Sequence, residues 1–177
     1  MRTLLIVVMC IIAAIIYGVL HDLVTTRVCV EYFTIGHTPV FGTEDPTLLA
    51  LGWGVIATWW VGLFLGIALA AAARFGSRPP REPRTLLRPI AGLMVFSGLC
   101  ALVMGVVGFI LAEKGSVVLL EPMASEIPRE KHARFLADLW AHTTSYAVGF
   151  VGGFVVCVRV WLSRREHFTI KSPPSLP

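Results

Sequence analysis

The chain has 177 residues, of which 56% are hydrophobic and 15% charged, with a formal net charge of +4. Its mean hydropathy is +0.77. This is too apolar for a water-soluble domain and marks a membrane protein. Too little chain remains outside the apolar stretches to build a separate catalytic domain beside the bilayer.

Four runs carry no Asp, Glu, Lys or Arg: Thr3–Leu20, Pro46–Ala73, Pro89–Ala112 and Leu139–Val158. A hydrocarbon core of about 30 Å takes roughly 20 helical residues to cross, so each run predicts a spanning helix. The runs are continuously apolar rather than alternating, which favours helices over barrel strands, since backbone groups in lipid must be paired internally. The expected fold class is an all-α integral membrane protein. It is a four-transmembrane-helix bundle forming one membrane domain over 1–177, with spans at about 3–22, 46–73, 87–112 and 139–162.

In chain order, the first run follows Arg2 and ends at Tyr17-Gly18-Val19-Leu20-His21-Asp22. It is longer than a usual signal-peptide core and lacks a small-x-small cleavage site, so it reads as a retained anchor. The helix is expected to continue two or three turns through Arg27 and Glu31, whose four-residue spacing permits an ion pair. The 21–45 connection is unusually aromatic, with Tyr32, Phe33 and Phe41, and from Gly36 onward its Gly and Pro content predicts an irregular cap on the bundle. Thr43-Glu44-Asp45-Pro46 opens the second helix, with Thr43 or Asp45 as N-cap and Pro46 at the first position.

Trp53 near the start of the second span suits an interfacial belt. Trp59 and Trp60 lie deeper and point about 100° apart, so at least one should face lipid, a pigment or a partner subunit. Gly62 and Gly66 form a GxxxG stripe, Gly149 and Gly153 another, and Ala101 with Gly105 repeats the small-xxx-small spacing. Such stripes let two helix backbones approach closely, within the chain or against a partner. Gly62, Gly66, Trp59 and Trp60 are therefore the candidate partner or lipid contacts.

Between the third and fourth spans, Val117–Leu120 is a short apolar stretch suited to an interface. Ser125-Glu126-Ile127-Pro128 starts a helix expected to run on through Lys131, Phe135 and Leu139. His132 is then held above the bilayer with no role in a site.

The 74–88 loop carries Arg74, Arg78, Arg81, Arg84 and Arg88 against Glu82, and the 163–177 tail carries Arg164, Arg165 and Lys171 against Glu166. The 21–45 and 113–138 connections, by contrast, mix acids with bases. Lys- and Arg-rich loops stay inside, so both termini are expected to be cytoplasmic and the two mixed connections to form an outer cap. A bacterial inner (cytoplasmic) membrane is the expected location. The net charge thus expresses topology, and no nucleic-acid partner is needed to account for it. Cys10, Cys100 and Cys157 fall within spans and leave Cys29 without an obvious disulfide partner; with no Cys-x-x-Cys, thiol-disulfide exchange is disfavoured.

No acid or base interrupts the middle of any span, which argues against an ion pathway or charged-substrate carrier. Chemistry-bearing residues gather at the cap side instead: His21, Asp22, Cys29, Glu31, Tyr32, His37, His132, Asp138 and His142. Asp138 and His142 share a helix face. If the first and fourth helix ends are adjacent, His21, Asp138 and His142, with Glu31 or His37 completing the set, make a candidate site for Zn, Fe or Cu. Glu31 is alternatively a base toward a metal-bound water. A plain Asp138–His142 hydrogen bond is the competing reading.

Four functions fit these features. First stands a non-catalytic accessory or stabilising subunit of a larger membrane complex, respiratory or photosynthetic, whose partners are the bilayer and other membrane subunits. A membrane metalloprotein or enzyme with a His/Asp/Glu site at the outer face is the alternative. A quinone or lipid binder and a transporter follow.

Overall fold

The computed structural model describes the backbone of residues 1–170 and the side chains of residues 1–164. The side chains of Arg165, Glu166, His167 and Lys171 lie outside the described residues. Four helices are long and apolar enough to cross a membrane, and no strand occurs among the described residues.

Helix α1 spans Arg2–Val28. It stops where Cys29 turns extended, at φ −150° and ψ 97°, and a single turn, α2 (Glu31–Thr34), follows. The expected continuation through Glu31 is therefore corrected, and with it the Arg27–Glu31 pair, because the extended residue destroys the four-residue register. Arg27 instead donates to the Leu23 carbonyl at 2.7 Å and to Thr47 Oγ1 at 2.9 Å.

The second span consists of α3 (Pro46–Ile56) and α4 (Trp59–Arg74), separated by Ala57 and Thr58. Asp45 is its N-cap: Oδ1 accepts from the Thr47 and Leu48 backbone N–H at 2.9 and 2.8 Å, satisfying donors that the first helical turn leaves open. Thr43 supports the cap by accepting from the Asp45 N–H. At the break, Thr58 Oγ1 donates back to the Gly54 carbonyl at 2.5 Å, a bond known to bend helices. A Cβ on Gly54 would sit 2.6 Å from the backbone N and Cα of Val19. The break thus lies where α1 crosses the second span at backbone contact.

A 3-10 turn at Pro83–Leu86 leads into α5 (Leu87–Glu113). After a loop, α6 (Met123–Glu126) and a 3-10 turn at Arg129–Lys131 precede α7 (His132–Ile170). The helix expected to run unbroken from Ser125 is interrupted at Ile127-Pro128. Proline drives the residue before it out of the helical region, and Ile127 is extended at φ −91°, ψ 132°.

Helix α1 lies along α3 and α4, and α5 lies along α7. The two pairs join through α4 and α7, while α1 and α5 touch only lightly. The Gly62 and Gly66 stripe is buried against α1 at Val7, Cys10 and Ile11, so its partner in this structure is within the chain. Gly105 lies against Ala137 and Ala141, and Gly108 receives the Trp140 ring.

The start of α1, the 75–86 segment and the far end of α7 meet at one end of the bundle. Arg2 pairs there with Glu82. Arg164, 1% exposed, donates to the carbonyls of Ala72, Phe75, Arg78 and Pro79. At the opposite end, Cys29, Tyr32, Phe33, Leu49, Ile127 and Phe135 form an apolar cluster that joins the 29–45 and 114–131 segments to the helices. Trp53 is turned into this cluster, against His37 and Phe41.

Candidate metal centre

The last two turns of α1 meet α7 beneath this cluster. His21 and His142 approach edge to face with ring centroids 4.5 Å apart, and Asp22 Oδ1 lies 3.2 Å from His142 Nε2. One ligand-capable atom from each of His21, Asp22 and His142 falls within 4.8 Å of the others. The cluster is buried: Asp22 is 5% exposed, and His21 Nε2 is buried without a hydrogen-bond partner.

The hydrogen bonds define the histidine tautomer. His142 Nδ1 lies 2.8 Å from the Asp138 backbone carbonyl, one helical turn back. A carbonyl oxygen only accepts, so Nδ1 carries the hydrogen. In the neutral ring, Nε2 is then a lone pair facing a carboxylate oxygen. Two acceptors at 3.2 Å require a proton or a cation between them. Metal-ligating histidines commonly donate their second ring N–H in this way to a backbone carbonyl.

Tyr32 and Phe33 close over the cluster, with centroids 4.6 and 5.6 Å from the His142 ring. An adjoining cavity of about 140 Å³ reaches Tyr17, His21, Asp22, His37 and His142 and continues between the helices. Its deeper polar groups bond one another: Tyr17 Oη and Ser145 Oγ are 2.7 Å apart, and Ser97 Oγ donates to Tyr17 Oη at 3.2 Å. Tyr146 donates to the Ala57 carbonyl at the helix break.

The sequence-based set of His21, Asp138, His142 and Glu31 is thus brought together in part. His21 and His142 lie side by side, but the carboxylate beside them belongs to Asp22. Asp138 offers His142 its carbonyl rather than its side chain, and its carboxyl group lies away from the cavity, toward the Cys29 backbone amide and the gap between α1 and α5. His37 lines the cavity but is held by the Tyr32 carbonyl at 2.7 Å. His132 is half-buried and bonded to the Ile127 carbonyl at 2.9 Å, outside the cluster.

Glu31 is occupied elsewhere. It accepts from the Cys29 thiol at 3.3 Å and pairs with Lys131 at 3.3 Å, tying α2 to the turn before α7. Burial and the bond to Glu31 push the Cys29 thiol up to about 12, so it is a protonated packing group. For Glu31 itself burial raises the pKa, but its own backbone N–H, the Cys29 thiol and Lys131 outweigh this and hold the carboxyl below its ordinary value. A depressed carboxyl stabilises the fold above the unfolded-state pKa of about 4.3. That contribution is lost as the pH falls through the folded value. Melting curves in detergent at pH 5.5 and pH 3.5 are expected to show a larger fall for the native protein than for Glu31→Gln. Equal falls would remove Glu31 as a source of acid sensitivity.

The fold defines a multi-pass membrane helical bundle. No family model, curated protein or solved structure matches the chain.

Proposed function

We propose that this is a bacterial inner-membrane metalloprotein in which His21, Asp22 and His142 hold one divalent transition-metal ion at the outer end of the bundle. The observation that carries the reading is the pair of facing acceptors, His142 Nε2 and Asp22 Oδ1, with a ring nitrogen of His21 within 4.8 Å and the Nε2 of that ring buried without a partner. A proton satisfies the first pair alone; a metal ion satisfies all three groups. Two imidazoles and one carboxylate suit Zn, Fe or Cu. Three protein ligands beside a cavity leave coordination positions open, as at a reactive rather than a purely structural site. The Arg-rich 74–88 loop supports placing both termini in the cytoplasm and the metal on the opposite side.

Metal analysis by mass spectrometry on protein purified without chelator tests this. Near one equivalent is expected for the native chain and for Glu31→Gln, with a loss of tenfold or more in His142→Ala and Asp22→Asn. Equal substoichiometric metal in all four proteins rejects the site.

A second reading, an accessory subunit of a respiratory or photosynthetic membrane complex, rests on Trp59 and Trp60. They are 46% and 37% exposed on the membrane-facing surface, where Trp60 packs against Phe64 and Phe150. Purification in mild detergent separates the readings: a stable larger assembly lost in Trp59→Ala/Trp60→Ala supports the subunit role. An isolated 19.3 kDa protein carrying metal supports the first.

A further inference from the structure

The light contact between α1 and α5 leaves a groove of about 770 Å³ along the side of the bundle, open toward the surrounding membrane. It extends along α1 from Ala13 to Val28, about 22 Å at about 1.5 Å per residue, and along α5 from Leu87 to Phe109. Its walls are almost wholly apolar, and among the described residues no Lys or Arg lines it.

Among the described residues, the polar side chains that line this groove are Tyr17, His21, Thr25 and Asp138. Asp138 is 1% exposed, its Oδ2 is buried and unpartnered, and it lines the groove rather than the cavity behind it. The Tyr17 and His21 rings, stacked at 5.7 Å and 20°, form the wall shared by groove and cavity. Gly98 and Gly105 lower the α5 side nearby. A buried carboxyl oxygen without a partner is costly, so a ligand supplying that partner gains what the empty groove lacks.

We propose that this groove binds a quinone-type lipid, with its ring beside Tyr17 and His21, its hydroxyl or carbonyl oxygen on Asp138, and its isoprenoid tail along the aliphatic walls toward Leu87. The head must be neutral. An anionic phosphate or fatty-acid headgroup meets a carboxyl group and finds no Lys or Arg. A hydroxyl donates to the ionised form of Asp138, and a carbonyl accepts from the protonated form. The two ring faces favour an aromatic head over a glycerol one. The site depends on the groove and Asp138 and stands with or without a metal ion.

The test is tryptophan fluorescence quenching of the full chain, stripped of metal in detergent, by a benzoquinone carrying a ten-carbon tail. Saturable quenching is expected, with dissociation constants at least tenfold weaker in Gly98→Leu, which fills the groove, and in Asp138→Ala, which removes the polar partner. Excess diolein should leave the titration unchanged. Linear, non-saturating quenching overturns the proposal, as does an unchanged constant in Asp138→Ala, a variant that keeps the groove open if leucine at 98 impairs folding. Displacement by diolein overturns the quinone assignment in favour of a glyceride. Native-like metal content with linear quenching would fail the groove alone, and saturable quenching in protein that never binds metal would fail the metal reading alone.

Discussion

Gly62→Leu should be the most damaging single substitution in the spanning region, costing about 3 kcal/mol or more through overpacking. A Cβ at this position would lie 2.7 Å from the Cys10 carbonyl oxygen and 2.7 Å from the Ile11 Cα. Both are backbone atoms, so no side-chain rotation relieves the clash, and α1 must move away from α4. Since α1 carries His21 and Asp22, such a shift also separates them from His142 on α7. Gly92→Leu is the control: nothing lies within 4 Å of a Cβ there, and the residue is exposed. Detergent melting temperatures should fall by roughly 10 °C for Gly62→Leu, taking 2–4 °C per kcal/mol, and hardly change for Gly92→Leu. Similar melting for both would mean that the α1–α4 contact is not close-packed.

Arg164→Met should be nearly as severe, at about 3 kcal/mol, since it removes a buried cation and the four hydrogen bonds it makes. The guanidinium donates from Nε to Pro79 O at 3.0 Å, from Nη1 to Ala72 O and Phe75 O at 2.8 and 2.9 Å, and from Nη2 to Arg78 O at 2.6 Å. Carbonyls at the C-terminal end of a helix lack intrahelical donors and carry the negative end of its dipole, so this one side chain caps α4 and fixes the following segment to α7. Methionine matches the length but donates nothing. Lysine restores part of the effect, because a compact ammonium lacks the planar fork that reaches several carbonyls at once. Beyond a lower melting temperature, the 75–82 segment should be cleaved faster by trypsin in Arg164→Met, with Arg164→Lys intermediate. A native cleavage rate in Arg164→Met would show that the segment is held by other contacts.

The four spans were legible because crossing a bilayer imposes length and apolarity on every residue of a run. Asp45 and Pro46 were legible as a helix start for a similarly local reason. The break at Ala57 and Thr58 was not, since it arises where α1 crosses the second span at Gly54, a tertiary event without a Pro signal. The meeting of His21 with His142 followed from two helix ends lying on one side. Which carboxylate would join them did not: Asp22 and Asp138 are equally placed along their helices, and only the rotational setting of α1 and α7 turns one inward and the other toward α5. The Gly62–Gly66 stripe announced a close helix contact without naming its partner, which proved to be α1. Arg164 reads in sequence as one more basic residue beyond a span, and its burial depends on α4 carbonyls some ninety residues earlier, to which no sequence pattern points.

The proposed centre requires that His142 Nε2, Asp22 Oδ1 and His21 converge on one metal ion. X-ray absorption at the metal edge of the purified native protein tests this most directly. The predicted spectrum contains two imidazole nitrogens at about 2.0–2.1 Å together with carboxylate or water oxygens, and the edge signal per protein falls tenfold or more in His142→Ala. A shell of oxygens alone, or an edge signal undiminished in His142→Ala, would contradict it.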